Sequence, residues 1–239
     1  MVEYLHEKLG LEGGIGPAST IEYYKGINEG YQRSLKNPAK CGENPPMVID
    51  SLNLSVAYDL VAKKDWVKFA ELFINSLQSL HRAGAEIAAL TANTAHIVFD
   101  EVSSRSPIPL IGLVDETCKY AQSKGCNKAV IFGTAFTMSS KMYESKFATY
   151  GIEAVVPSET DQQVIHNIIF PNLVAGIVTE HEKAVILEIA KKMLSEHNAD
   201  ALVLGCTELP LIIEPDDLNT TILDTTKIHI DAILYQMLG

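Results

Sequence analysis

This chain has little cysteine, little positive charge and no long apolar run, and each shortage excludes a class of protein. The longest apolar stretches are too short to cross a bilayer, and the first ten residues, MVEYLHEKLG, carry three charges and no apolar run. Neither secretion nor membrane insertion is indicated. Nineteen Lys and Arg stand against thirty Asp and Glu, for a net charge of -11, and no basic cluster is interleaved with aromatics. A phosphate backbone would be repelled, which argues against a nucleic-acid partner. The four cysteines, Cys41, Cys118, Cys126 and Cys206, are widely spaced and form no CxxC pair. A chain of 239 residues needs no disulfide staples, so a reducing cytoplasm is the expected location. HExxH, HxxxH and Cys/His clusters are missing too, so no metal site is predicted.

What is present reads as an open α/β protein. Short apolar runs, Met47 to Ile49, Ile87 to Leu90, Leu110 to Leu113, Ala129 to Phe132, Ala154 to Val156, Ala201 to Leu204 and Thr221 to Leu223, have the composition of buried parallel strands. Between them, Trp66 to Ala83 and Glu180 to His197 place apolar residues at helical spacing with charged outer faces. The alternation predicts a doubly wound α/β fold. The strand ends at Ala92 and Cys206 carry similar text 114 residues apart, nearly half the chain. That repeat suggests two similar lobes, residues 1–105 with 222–239 and residues 106–221, the final helix crossing back onto the first. Ligands of open α/β sheets bind beyond the carboxyl ends of the strands, so the expected active site is a cleft between two such ends.

Several motifs sit at those strand ends. Gly10 to Pro17 reads as a glycine-rich turn opening a helix near Ser19; its spacing does not fit a phosphate loop and Glu12 would repel a phosphate, so no nucleotide cofactor is predicted. Ser51 and Asn53 can hydrogen-bond a carboxylate or serve as turn and cap residues. Thr134 and Thr137 offer two hydroxyls at another strand end. In Gly205-Cys206-Thr207-Glu208 a thiol lies between a strand and an expected helix start, where free amides favour the thiolate and Glu208 can orient or shuttle a proton. Cys41, Cys118 and Cys126 have no such setting and read as structural or surface residues. Of the histidines, His96 falls just after Asn93-Thr94, His166 lies in a helix-like stretch, and His229 reads as support for the fold near a helix cap.

Together these motifs make the chain resemble the aspartate/glutamate racemase superfamily, and within it the aspartate racemase branch. The resemblance rests on Gly10-Leu11-Glu12-Gly13-Gly14-Ile15-Gly16-Pro17, Asn93-Thr94-Ala95-His96, Gly133-Thr134-Ala135-Phe136-Thr137-Met138, Gly205-Cys206-Thr207-Glu208 and Asp224-Thr225-Thr226-Lys227-Ile228-His229, and spans nearly the whole length. It implies two pseudosymmetric α/β lobes, a homodimer, no pyridoxal phosphate, and a small amino-acid or dicarboxylate substrate. It also implies two cysteines flanking the α-carbon, one removing its proton and the other returning one. The second of these falls on Cys206. The first falls on Ala92, and alanine neither gives nor takes a proton.

Racemisation or epimerisation of aspartate, glutamate or a related amino acid is the reading this supports. Cys206, Glu208 and Thr91 are the catalytic candidates, with Thr94 or a water as alternatives to Thr91 on the second face. Asn93, Thr94 and Thr207 are expected to hold the α-carboxylate, and Ser51, Thr134, Thr137 and His166 the distal end of the substrate. Three alternatives stay open: an alanine introduced by engineering, a one-thiol decarboxylase or isomerase like arylmalonate decarboxylase of the same superfamily, and a carboxylate binder without activity.

Overall fold

A computed structural model describes residues 7–35 and 43–238. Cys41 and most of the N-terminal charged segment lie outside the described residues. In chain order the elements are β1 (Leu9–Gly13), α1 (Pro17–Ser34), β2 (Met47–Ser51), α2 (Leu54–Ala62), α3 (Trp66–Arg82), β3 (Ile87–Leu90), α4 (Phe99–Arg105), β4 (Leu110–Ile111), α5 (Leu113–Ser123), β5 (Lys128–Gly133), α6 (Ala135–Ser139), α7 (Met142–Thr149), β6 (Glu153–Val155), α8 (Glu159–Asn167), α9 (Glu180–His197), β7 (Ala201–Gly205), β8 (Thr221–Asp224) and α10 (Thr225–Leu238). They form two compact units, Met1–Leu113 with His229–Gly239, and Val114–Ile228. Among the described residues no helix is long and apolar enough to cross a membrane.

Each unit holds a four-stranded parallel sheet. The first is ordered β2-β1-β3-β4 and the second β6-β5-β7-β8, so the second repeats the strand order of the first. Parallel neighbours require crossover helices, and these cover the sheet on both faces. In the first unit, odd-numbered residues such as Leu9, Leu11, Ile87 and Ala89 pack with Tyr23 and Ile27 of α1 and Ile233 of α10. Even-numbered residues such as Ala88 and Leu90 pack with Phe69, Phe73 and Leu77 of α3 and with Ala57 and Val61 of α2. The period of two in the strands thus sorts side chains between two cores. In the second unit Val130, Phe132, Leu202 and Leu204 likewise meet Ile165 of α8 and Ile186, Ala190 and Met193 of α9.

The helices start where their sequences allow. Asp65 accepts the Lys68 amide at 3.2 Å to open α3, Asn53 accepts the Ser55 amide at 3.0 Å to open α2, and Thr179 accepts the Glu182 amide at 3.2 Å to open α9. The glycine-rich segment is divided: Leu9–Gly13 is a fully buried central strand rather than a turn, whereas Gly14, at φ +90°, turns the chain into α1, which begins at Pro17. Glycine is kept at position 10 because a Cβ there would lie 3.0 Å from Ala85 Cβ and 3.2 Å from Leu80. Close packing of α3 on β1, rather than turn formation, is what this glycine serves.

Candidate active site

In the second unit, β7 ends at Gly205 and delivers Cys206 to the carboxyl edge of the sheet. Its register partner is Gly133, the last residue of β5. A Cβ on Gly205 would lie 2.8 Å from the Phe132 carbonyl oxygen, so the two strand ends approach as only glycines permit. Thr137 of α6 lays its methyl group over this pair, while Thr134 caps α6 by accepting the Thr137 amide at 3.2 Å. The Thr134 and Thr137 hydroxyls are 3.1 Å apart. Thr134 and Thr137 therefore border the Cys206 strand end.

The thiol of Cys206 donates to Glu208 Oε2 at 2.9 Å, and the Thr207 hydroxyl donates to the same oxygen at 2.9 Å. Burial pushes the thiol pKa well above its ordinary value, and the charge of Glu208 and the hydrogen bond to it push it the same way. The amides of Glu208 and Thr207 pull it down, as the sequence predicts, but they are outweighed. No full helix follows to add its dipole, since only the short 3-10 turn Leu209–Leu211 comes next. At rest, therefore, Cys206 is a thiol rather than the expected thiolate, with a carboxylate placed to take its proton.

His166, on α8, meets Phe136 at 6.4 Å edge to face and Phe170 at 5.3 Å between ring centroids. Burial lowers its pKa, and among the described residues its Nδ1 has no hydrogen-bond partner. The imidazole is neutral near pH 7.

In the first unit the corresponding strand end belongs to β3. Thr91 donates its amide to the Glu12 carbonyl at 3.0 Å and accepts the Ser19 hydroxyl on its own carbonyl. Its side chain turns toward α1, with its hydroxyl 3.5 Å from that of Thr20. Ala92 and Asn93 are buried next to it, Thr94 is half-buried, and Ser51 is exposed at the end of β2. Asn53 is occupied as the cap of α2, where it also accepts the Ser55 hydroxyl at 2.8 Å.

One histidine fixes the backbone at Ala92, and a second ties α10 to β4 and α1. The Leu113 amide donates to His96 Nε2 at 3.0 Å, so Nε2 carries no proton and Nδ1–H donates to the Ala92 carbonyl at 2.9 Å. His229 is fully buried, with Nδ1 2.8 Å from the Tyr23 hydroxyl and Nε2 2.9 Å from the Ile111 carbonyl. A carbonyl only accepts, so Nε2–H donates to it and Nδ1 accepts from Tyr23. Burial, reinforced by His96, holds the His229 pKa down at about 3. His229 is thus a fully bonded structural residue, as its sequence position suggested.

One residue of this region was read in the sequence only as a phosphate repellent. Glu12 is fully buried on β1, and among the described residues neither carboxyl oxygen has a partner. Its sequence signal is a glutamate inside an otherwise apolar Leu-Gly-Leu run. Among the described residues no cluster of three or more His, Cys, Asp or Glu side chains could hold a metal ion.

Comparison with known proteins places these strand ends in a family context. The profile of a family described as Asp/Glu/Hydantoin racemase matches residues 13–233. The broad-specificity amino-acid racemase RacX of Bacillus subtilis is 26% identical over 222 residues, covering 91% of this chain and 92% of that protein. A crystal structure from Yersinia pestis, provisionally assigned as an Asp/Glu racemase, is 31% identical with a TM-score of 0.89, over 98% of this chain and all of that one. PH1733, an aspartate racemase homologue from Pyrococcus horikoshii, is 30% identical with a TM-score of 0.84, over 96% and 98% of the two chains.

Proposed function

The chain belongs to the Asp/Glu/Hydantoin racemase family, and from that premise we propose that it racemises or epimerises aspartate, glutamate or a related amino acid by moving a proton at the α-carbon. The observation that carries this reading is the Cys206 thiol hydrogen-bonded to Glu208 at the end of β7. A half-buried thiol with a raised pKa stays protonated and so holds a proton for the α-carbon, and Glu208, taking the thiol proton, makes the thiolate required for the reverse step. One group thus serves one face of the α-carbon in both directions.

In this reading the amide of Thr207 and the side chains of Asn93 and Thr94 hold the α-carboxylate and stabilise the enediolate that forms when the proton leaves. Ser51, Thr134, Thr137 and His166 meet the distal end of the substrate. Thr94, or Thr91 from its place beside Thr20, orients a water toward the other face, where Ala92 offers no thiol. A hydroxyl or a water passes a proton on but does not hold one near neutral pH, so this face needs an acid–base group behind it.

The test is α-proton exchange in deuterated water, followed by NMR, for both enantiomers of aspartate, glutamate and the other protein amino acids. Exchange that Cys206→Ala lowers by about a hundredfold or more is expected. Exchange that survives Cys206→Ala at the native rate removes the thiol from the mechanism. The alanine at position 92 also suits a decarboxylase that needs one acid; carbon dioxide released from a substituted malonate, with no amino-acid exchange, would select that reading instead.

A further inference from the structure

Along β1 the side chains alternate. Leu9 and Leu11 face α1 and α10, whereas the Cβ direction of Gly10 meets Leu80 and Ala85, so Glu12 faces α3. Its register partners are Asp50 on β2 and Leu90 on β3, and registered residues of parallel strands share a face. Ala92, two residues beyond Leu90, belongs to that same core. With strands about 4.8 Å apart and a rise of about 3.3 Å per residue, the Glu12 and Ala92 Cβ atoms are about 8 Å apart, a gap that a glutamate side chain and one water span.

The surroundings of Glu12 make its presence costly. The residues that α2 and α3 bury toward this face are apolar except Ser76, one turn before Leu80, whose hydroxyl also lacks a partner among the described residues. Leu90 is apolar, the half-buried Asp50 is the titratable neighbour in the sheet, and His96 is committed to the Ala92 carbonyl and the Leu113 amide. Burial, and after it the charge of Asp50, hold the carboxyl pKa well above the usual range, which favours the protonated form of Glu12. An unpartnered buried carboxyl destabilises a core that leucine would suit. The position beside Ala92 supplies a reason to keep it.

We infer that Glu12 is the acid–base group of the first unit, acting beside Ala92 in place of a thiol at position 92; the inference rests on the racemase reading. In one direction the Cys206 thiolate removes the α-proton, and the C–H electron pair passes into the enediolate. The neutral Glu12 carboxyl then gives its proton, through the intervening water, to the α-carbon, where the enediolate pair forms the new C–H bond. Cys206 ends as a thiol and Glu12 as a carboxylate. In the other direction, from the ionisation state that this leaves, the Glu12 carboxylate takes the α-proton through the same water, the C–H pair passes into the enediolate, and the Cys206 thiol returns a proton. Nothing is oxidised or reduced.

The experiment compares the unaltered protein with Glu12→Gln, Glu12→Leu and Glu12→Gln/Ala92→Cys, using the amino acid that exchanges fastest and both of its enantiomers across pH. Glu12→Gln is expected to lower exchange from one enantiomer by about a hundredfold, to spare the other, and to remove one limb of that enantiomer's pH profile. The added Ala92→Cys is expected to restore exchange. Should Glu12→Gln not fold, Glu12→Leu suits the apolar core and must show the same one-sided loss. Unaltered exchange from both enantiomers in a folded Glu12 variant overturns the inference while leaving the racemase reading intact. If the unaltered protein exchanges neither enantiomer of any amino acid, both are overturned.

Discussion

Cys206 illustrates how two local effects of opposite sign are decided by magnitude. The amides beyond β7 favour the thiolate, while burial and the Glu208 carboxylate oppose it, and the opposition wins. Because Glu208 raises the thiol pKa through both its charge and its hydrogen bond, Glu208→Gln should bring the titration of Cys206 to lower pH. Alkylation of the Cys206 peptide by iodoacetamide, followed by mass spectrometry as a function of pH, reads this. A midpoint that stays or rises in Glu208→Gln would show that burial alone sets the thiol. The same variant should exchange α-protons more slowly despite its more acidic thiol, because the proton acceptor is gone. The cysteine's place at a strand end was legible because it follows a buried apolar run, but its protonation state was not, since desolvation depends on what packs around it.

The strands themselves were readable wherever their residues were β-branched or aliphatic, as in Ile87 to Leu90 and Ala201 to Leu204. The helix Glu180 to His197 was readable from its apolar spacing. β1 was not, because Gly10, Gly13 and Gly14 carry the composition of a turn; only Gly14, at φ +90°, is one, while Gly10 and Gly13 are needed because α3 and α1 lie close on the strand. Glu12 was read only as a phosphate repellent for the same reason: once the segment is taken for a turn, a glutamate in it has no face to violate. The glycines at the ends of β5 and β7 lead to a prediction of their own. A Cβ on Gly205 would sit 2.8 Å from the Phe132 carbonyl, a backbone atom that cannot step aside. Gly205→Ala should therefore destabilise the second unit by about 1–3 kcal/mol and, by shifting the strand end that presents Cys206, reduce exchange. Urea denaturation followed by far-UV circular dichroism, with exchange measured on the folded fraction, separates the two effects. Stability equal to the unaltered protein would mean that the strands can part there at no cost.

At the scale of the whole molecule, the single tryptophan makes the first unit observable by itself. Trp66 lies on α3, edge to face with Phe69 at 6.1 Å, in the same unit as both His229 and Glu12. Those two buried groups push stability in opposite directions with pH. His229 has a folded pKa of about 3 against an ordinary 6.5, so its contribution is fully present above pH 6.5 and is lost as pH falls toward 3. By pH 5 the loss is about 2 kcal/mol. Glu12 has a raised folded pKa, so the unfolded chain releases its proton first, and the cost of burying it grows as pH rises above its ordinary value of 4.5. Urea unfolding followed by Trp66 fluorescence should therefore show the first unit losing stability on both the acid and the alkaline side. Glu12→Leu should raise the curve, and raise it more at pH 8 than at pH 4, while leaving the fall below pH 6.5 in place. A gain of equal size at both pH values would mean that Glu12 titrates normally in the folded protein and that its carboxyl is solvated. In that case the carboxyl would lack the raised pKa that lets it hold a proton beside Ala92 at neutral pH. The same pair of measurements thus links the stability of the first unit to the chemistry assigned to Glu12.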